Sequence, residues 1–168
     1  MKKVMLVLST TTSSTPFITY SLDYAKKEGA ELIVCFIIDE KVSKTVSSIL
    51  TYIGFMGEKM GENLRKTLLS EYEGRAKDKL EEVDKLSKKK EVDCRCILLE
   101  GDVVNETIKL AKKEGPEILF IMPPTEKSDV YQTFFGDAIN KILRASPCPI
   151  KIINGGSLEK SKKKRDSK

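Results

Sequence analysis

The sequence predicts an α/β fold built on an open parallel sheet, and two observations carry this prediction. Short apolar runs alternate along the chain with longer segments of helical periodicity, which gives five strands and four helices. The runs at 4–8 and 118–122 are apolar at every position, as expected for strands that are covered on both faces. Because crossovers of this length join parallel strands, we expect a right-handed, doubly wound sheet.

The chain of 168 residues is long enough for one domain with its own core. We place that domain at residues 1–154 and a disordered basic tail at 155–168. The segment Ser157–Lys168 carries six basic and two acidic side chains, so it supplies most of the formal charge of +5. The high isoelectric point therefore does not indicate a nucleic-acid-binding surface on the fold.

The first part of the domain contains two strands separated by a helix. Val4–Leu8 is the first strand and Leu32–Ile38 is the second. Between them, Thr15 is the expected N-cap and Pro16 the first residue of a helix that Gly29 ends.

An apolar insert follows at residues 41–61, where we expect a short helix near 42–53 and a turn after it. It is either a flap over one edge of the sheet or a lid or partner surface, since apolar, Met-rich patches often bind. The apolar spacing from about residue 60 to 89 then predicts one long amphipathic helix.

The second part begins with a third strand over Val92–Leu99. Asp102 is the expected N-cap of the next helix, which Gly115 ends. The strand Ile118–Met122 leads into a polar loop at Thr125–Thr133.

The last helix is expected to start at Asp137, which would cap it, and the last strand is Pro149–Ile153. In open α/β sheets, ligands bind where the carboxyl ends of strands meet the amino ends of helices.

The residue types exclude several kinds of chemistry. The chain has no His, which removes Ser-His-Asp and Cys-His nucleophile systems as well as the commonest zinc ligand. We expect Cys35, Cys94, Cys96 and Cys148 to be buried free thiols, with Cys94 and Cys96 on one side of a strand and Cys148 the single candidate for exposure. No metal site is predicted.

Location and source are also suggested by composition. The apolar run at 4–8 is shorter than the core of a signal peptide, and no stretch reaches membrane-spanning length, so we expect a cytoplasmic protein. Abundant Lys and Glu with a single Gln favour a thermophilic source.

A row of hydroxyl side chains, Ser9–Thr15, occupies the loop after the first strand. Such a loop can bind phosphate beside helix N–H groups, as in the FMN site of flavodoxins, which keeps a flavin electron carrier as one alternative. The row contains no Gly for close backbone approach. Local turn and capping hydrogen bonds are the favoured interpretation.

Two segments carry a family resemblance: EGDVVNETIKLAKKEGPEILFIM at 100–122 and FFGDAINKILRASPCPIKII at 134–153. They resemble the universal stress protein (UspA) family, and the resemblance spans Lys2–Asn154. It implies a Rossmann-like, five-stranded parallel sheet of order 3-2-1-4-5 with helices on both faces. It also implies a role in stress response and homodimers that pair through the last strand, Pro149–Ile153.

Members of that family that bind ATP carry a Gly, two residues, a second Gly, nine residues and then Gly-Ser or Gly-Thr. Counting back from Gly136 puts Pro123 and Glu126 at the first two glycines, and Asp137 replaces the hydroxyl. Ser9 stands where the family has an acidic residue. Pro123 has no N–H, and the two carboxylates would repel a triphosphate.

The first hypothesis is therefore a non-enzymatic, homodimeric stress-response module, with an unidentified protein partner and no cofactor. Its degenerate nucleotide loop would not bind ATP. The alternative is an adenine-nucleotide (ATP or AMP) binder that uses other residues. The residues of this candidate site are Ser9, Thr10, Asp39, Gly101, Pro123, Thr125, Gly136 and Asp137.

Overall fold

A computed structural model of the chain describes residues 1–9, 14–39, 44, 57–122 and 129–153, apart from the side chains of residues 58 and 129–136. Strands and helices alternate along the described chain. In order they are β1 Lys3–Ser9, α1 Thr15–Glu28, β2 Glu31–Asp39, α2 Glu58–Lys90, β3 Cys94–Gly101, α3 Val103–Glu114, β4 Ile118–Ile121, α4 Asp129–Ala145 and β5 Ile150–Ile152.

Some predicted segments lie outside the described residues. These are the tail at 155–168 and the insert helix at 42–53, of which only residue 44 is described. The last residues assigned to the insert, 58–61, belong instead to the long helix α2.

The five strands form one all-parallel sheet in the order β3-β2-β1-β4-β5. This is the order that the family resemblance implies, and the predicted fold is confirmed. The parallel register places the carboxyl ends of the strands at one edge of the sheet and their amino ends at the other. None of the described helices is long and apolar enough to cross a membrane.

Alternate residues of each central strand pack into two separate apolar layers. In β1, Leu6 points into the layer formed with α1 and α2, whereas Met5 points into the layer formed with α3 and α4. Both side chains are fully buried. This two-sided burial explains why β1 and β2 are apolar at almost every position.

Helix α1 begins one residue earlier than predicted. Its N-cap is Ser14, and the prediction that Thr15 caps the helix is wrong. Instead, the Thr15 hydroxyl donates a hydrogen bond to Glu82 Oε1 on α2 at 2.6 Å. A contact with a distant helix thus uses the hydroxyl that local pattern assigns to the cap. The predicted end of the helix at Gly29, in the left-handed conformation at φ 61°, is confirmed.

The four cysteines differ in exposure more than the sequence predicts. Cys35 is fully buried, and burial raises the pKa of its thiol to about 12. Cys94 and Cys148 are half-buried. Cys96 is exposed, so the prediction that only Cys148 could be exposed is wrong. The reason is that β3 lies at the edge of the sheet, which local sequence does not reveal.

A network of ion pairs ties together the amino edge of the sheet. Glu114, at the end of α3, accepts two hydrogen bonds from the Arg95 guanidinium at 2.6 and 3.1 Å and one from Lys3 Nζ at 3.3 Å. Arg95 also contacts Glu31 at 3.2 Å. The network therefore connects the starts of β1, β2 and β3 to α3, and the side chain of Glu114 is only 8% exposed.

We predict that this network makes the fold sensitive to acid. Arg95 above all, with Lys3, lowers the pKa of Glu114 from 4.5 to about 2. A carboxyl group with a lowered pKa in the folded state contributes stability above its unfolded pKa and loses it as pH falls towards the folded value. Glu114→Gln should therefore destabilise the protein at neutral pH and flatten the fall in stability between about pH 5 and pH 2.

Urea unfolding at a series of pH values measures both effects. The matched control is Glu117→Gln, the same chemical change at an exposed position three residues away. Equal pH profiles for the Glu114 and Glu117 variants would contradict the prediction.

Candidate functional site

Three of the predicted site residues, Ser9, Asp39 and Gly101, lie at the carboxyl edge of the sheet. They are the last residues of β1, β2 and β3. In the strand register, Ser9 is opposite Ile37 and Asp39 is opposite Gly101. Thr10, Pro123 and Thr125 lie outside the described residues.

The side chains of Ser9 and Asp39 are buried and already have interactions within the chain. Each residue is 7% exposed. Buried polar side chains in folded proteins are generally paired in this way. Ser9 and Asp39 would have to exchange those contacts for contacts with a nucleotide.

The order in which successive strands join the sheet reverses between β1 and β4, which are neighbours although they are far apart in sequence. Helix α1, which follows β1, packs on one face of the sheet, and helix α4, which follows β4, packs on the other face. A crevice is therefore expected between the ends of these two strands. The Ser14 hydroxyl lies 3.5 Å from Met122 Sδ, directly past the ends of these two strands. This contact joins the amino end of α1 to the end of β4.

Gly101 and Asp102 make the reversal from β3 into α3. Gly101 has a φ of 145°, which L side chains rarely adopt, and a Cβ there would lie 3.4 Å from Glu106 Cγ. Asp102 is the N-cap, and its Oδ1 accepts a hydrogen bond from the Asn105 N–H at 2.9 Å. The predicted cap is confirmed, and it occupies a helix N–H group that could otherwise face an anion.

The prediction that Asp137 caps the last helix is wrong. Helix α4 begins at Asp129, so Gly136 and Asp137 lie inside it, and residues 129–133 are not loop. A Gly inside a helix costs about 1 kcal/mol relative to Ala, and the helix nevertheless continues past Gly136 to Ala145. Gly-Asp thus looks like a helix start by local pattern, but its neighbours continue the helix through it.

The position of Gly136 and Asp137 inside α4 determines whether their backbone N–H groups can bind a ligand. Inside an α-helix each N–H group donates to the carbonyl four residues earlier, so neither backbone N–H group is available to a phosphate. The Asp137 carboxylate is exposed and pairs with Lys141 Nζ at 3.2 Å. This is an ordinary pair between successive turns of a helix.

Acidic and cysteine side chains are the commonest metal ligands that this chain contains, because it has no His. The part of the chain that the structure describes contains no group of three or more His, Cys, Asp or Glu side chains that could hold a metal ion.

Comparisons with known proteins agree with the sheet order. A model described as the universal stress protein family matches residues 1–154. The chain belongs to the universal stress protein family. The resemblance noted in the sequence is thereby confirmed over nearly the whole length of the chain.

Individual relatives are distant. A universal stress protein of Methanocaldococcus jannaschii is 20% identical over 152 residues, which is 90% of this chain and 81% of that one. The solved UspA of Lactobacillus plantarum superposes with a TM-score of 0.67 at 12% identity, covering 90% of this chain and 97% of the other. An Arabidopsis thaliana family protein with AMP bound gives 0.52 at 11% identity, covering 92% of each chain. At such identities the solved structures show a shared fold.

We predict different stabilities for two Asp→Ala variants that remove the same atoms. Asp102→Ala should lower the free energy of unfolding by about 0.5–2 kcal/mol, because it removes a helix cap. Asp137→Ala should cost about 0.2–0.5 kcal/mol, because it removes one exposed pair within a helix. Urea unfolding at neutral pH compares them. Equal losses would mean that Asp137 has a capping role after all.

Proposed function

We propose that this universal stress protein family member is a non-enzymatic, homodimeric module that does not bind ATP in the family's usual way. It acts through an unidentified protein partner in a cytoplasmic stress response. The observation that carries the proposal is the uninterrupted helix α4, which runs from Asp129 to Ala145 through Gly136 and Asp137. The backbone N–H groups that a phosphate would need at this point are engaged within the helix.

Residue chemistry supports the same conclusion. Pro123 and Glu126 replace the two glycines of the family's ATP motif, and Pro has no N–H to donate. In the motif alignment Glu126 and Asp137 bring carboxylates to positions where the family has a glycine and a hydroxyl, and the Asp137 charge is partly offset by its pair with Lys141. Like charges about 4 Å apart near a protein surface cost on the order of 4 kcal/mol before salt screening. The absence of His from the chain supports a non-enzymatic role.

The β5 strand supports the proposed dimer. It is an edge strand; the Pro149 carbonyl just before it accepts a hydrogen bond from the Leu119 N–H, and the Ile153 N–H just after it donates to the Ile121 carbonyl, each at 2.9 Å. Because strand residues alternate, Ile150 and Ile152 direct their backbone N–H and carbonyl groups outwards. Ile152 is also 39% exposed, which is unusual for a large apolar side chain on a strand. A second copy pairing along β5 would cover both features.

The alternative function is adenine-nucleotide binding through other residues. It is favoured by the AMP-bound relative and by the meeting of strand ends at the crevice between β1 and β4. Ser9, Thr10, Thr125 and backbone groups near Asp39 and Gly101 would then make the contacts. This alternative requires Ser9 and Asp39 to exchange their present partners for the ligand.

Calorimetric titration of the purified protein with ATP, AMP or cyclic AMP in the presence of Mg²⁺ separates the two functions. We expect no binding tighter than about 100 μM, which corresponds to roughly −5.5 kcal/mol. Tighter binding of any of the three nucleotides would favour the alternative.

A triple variant tests whether the changed motif residues are what prevents ATP binding. Pro123→Gly, Glu126→Gly and Asp137→Ser together restore the family motif and should raise ATP affinity, because they remove the ring and both charges. The control is Asp23→Ser, which removes a carboxylate from α1 that pairs with Lys90 at the far end of α2. If neither variant gains affinity, the path of α4 alone accounts for the loss of the site.

The dimer is tested by Ile152→Pro. This substitution removes an N–H group that points away from β4, so the bonds within the sheet should survive while pairing with a second copy is blocked. Sedimentation velocity should show a dimer for the wild type and a monomer for the variant. Ile152→Val keeps the N–H and is the matched control. A dimer that persists in Ile152→Pro would place the interface elsewhere.

A further inference from the structure

A lysine stands in the middle of the edge strand β5. Lys151 lies between Ile150 and Ile152 and is exposed. Charged side chains, Lys above all, are a common means by which edge strands resist pairing with another chain. Pairing through β5 therefore depends on where the ammonium group of Lys151 lies.

The Lys151 side chain is held over α1. Its Nζ donates a hydrogen bond to the Tyr20 hydroxyl at 2.6 Å and lies 5.2 Å from the centre of the same ring. The Tyr20 ring packs edge-on against Phe120 of β4, with the ring centres 5.9 Å apart, and Phe120 is fully buried. The ammonium group is therefore directed back towards β4, away from the free edge of the sheet.

The backbone of β5 restricts how a second copy can pair with it. In an antiparallel two-fold pair, the outward N–H and carbonyl groups of Ile150 and Ile152 are all used if Ile150 of one copy lies opposite Ile152 of the other. A pair centred on Ile150 would instead need the backbone groups of Cys148. Both of these are bonded to the Ser146 hydroxyl, the N–H at 3.2 Å and the carbonyl at 2.7 Å. The favoured two-fold axis therefore passes through Lys151.

This register brings the two Lys151 residues face to face. Opposite residues that do not exchange backbone hydrogen bonds in an antiparallel pair have Cα atoms about 4.5 Å apart, and their side chains leave the same face of the sheet. Like charges in such a pair are destabilising. On the other face, Ile152 of each copy lies opposite Ile150 of the other, which covers the exposed side chain of Ile152.

We propose that Tyr20 enables pairing through β5 by holding Lys151 away from its counterpart across the two-fold axis. This role rests on the dimer proposed above. With each ammonium group bound to a tyrosine hydroxyl over its own α1, the two charges lie farther apart and their repulsion falls. Tyr20 is thus a positioning residue, because it contacts Lys151 of its own copy and acts on the interface through that side chain.

Sedimentation velocity of the full-length protein tests this role. Tyr20→Phe removes the hydroxyl but keeps a ring against Phe120, and it should raise the dimer dissociation constant roughly two- to fivefold. The increase should shrink at about 1 M salt, where the screening length is about 3 Å. Tyr24→Phe is the matched control, because Tyr24 is the other tyrosine of α1 that packs edge-on against Phe120, and it should leave the constant unchanged.

A double variant separates this role from a purely structural one. Lys151→Met keeps the length of the side chain without its charge, so it should tighten the dimer, and adding Tyr20→Phe should then change nothing. An equal effect of Tyr20→Phe with and without Lys151→Met would overturn the proposal. If Tyr20→Phe has no effect while Ile152→Pro abolishes the dimer, the dimer stands and the role of Tyr20 is wrong. A monomeric wild type would overturn both.

Disulfide cross-linking tests the register without relying on affinities. Lys151→Cys should form a disulfide between copies on mild oxidation, because Cα atoms about 4.5 Å apart lie within the span of an S–S bond. Ile152→Cys should not, because its counterpart lies diagonally across the pair. Mass spectrometry of the linked peptides distinguishes this bond from bonds of the four native cysteines. Linkage through Ile152→Cys and not through Lys151→Cys would move the axis off Lys151 and overturn the proposal.

Discussion

Both faces of the central strands must be covered, and this constraint shapes the rest of the molecule. Met5 and Leu6 are adjacent in β1, yet they are fully buried in different layers. Burying such a side chain contributes about 1.5–3 kcal/mol, so neither layer could be omitted without a large loss. Helices on both sides of a parallel sheet follow from this requirement. The same parallel direction brings every strand's carboxyl end to one edge and every amino end to the other.

Local sequence predicted those parts of the fold that local chemistry determines. The apolar runs identified the strands, and Gly29, Asp102 and Gly115 ended or began helices where expected. Two errors occurred where tertiary structure decides: Thr15 binds Glu82 on another helix, and Cys96 is exposed because its strand lies at an edge of the sheet. A third error concerns helix α4, which continues through Gly136 although Gly-Asp resembles a helix start. The pair between Lys3 and Glu114 joins residues 111 positions apart, beyond the reach of any local pattern.

The amino edge and the carboxyl edge of the sheet have different roles in this family member. The amino edge is held by the ion pairs of Glu114, Arg95 and Lys3, while the carboxyl edge carries the loops where ligands bind in such folds. Loops at one edge can therefore change without disturbing the contacts that hold the other edge. The change that we propose in the nucleotide motif is therefore compatible with retention of the family fold, because a fold alone does not determine function.

The interior position of Cys35 divides the chain's thiols into two populations. With its pKa at about 12 and no exposed surface, Cys35 is an inert thiol at neutral pH, whereas the other three are at least partly accessible. Unfolding therefore exposes the Cys35 thiol as a fourth reactive sulfur that is buried in the native state. The number of thiols that react with a mild thiol reagent therefore reports whether the sheet is intact, and this count requires neither a ligand nor knowledge of the protein's partner.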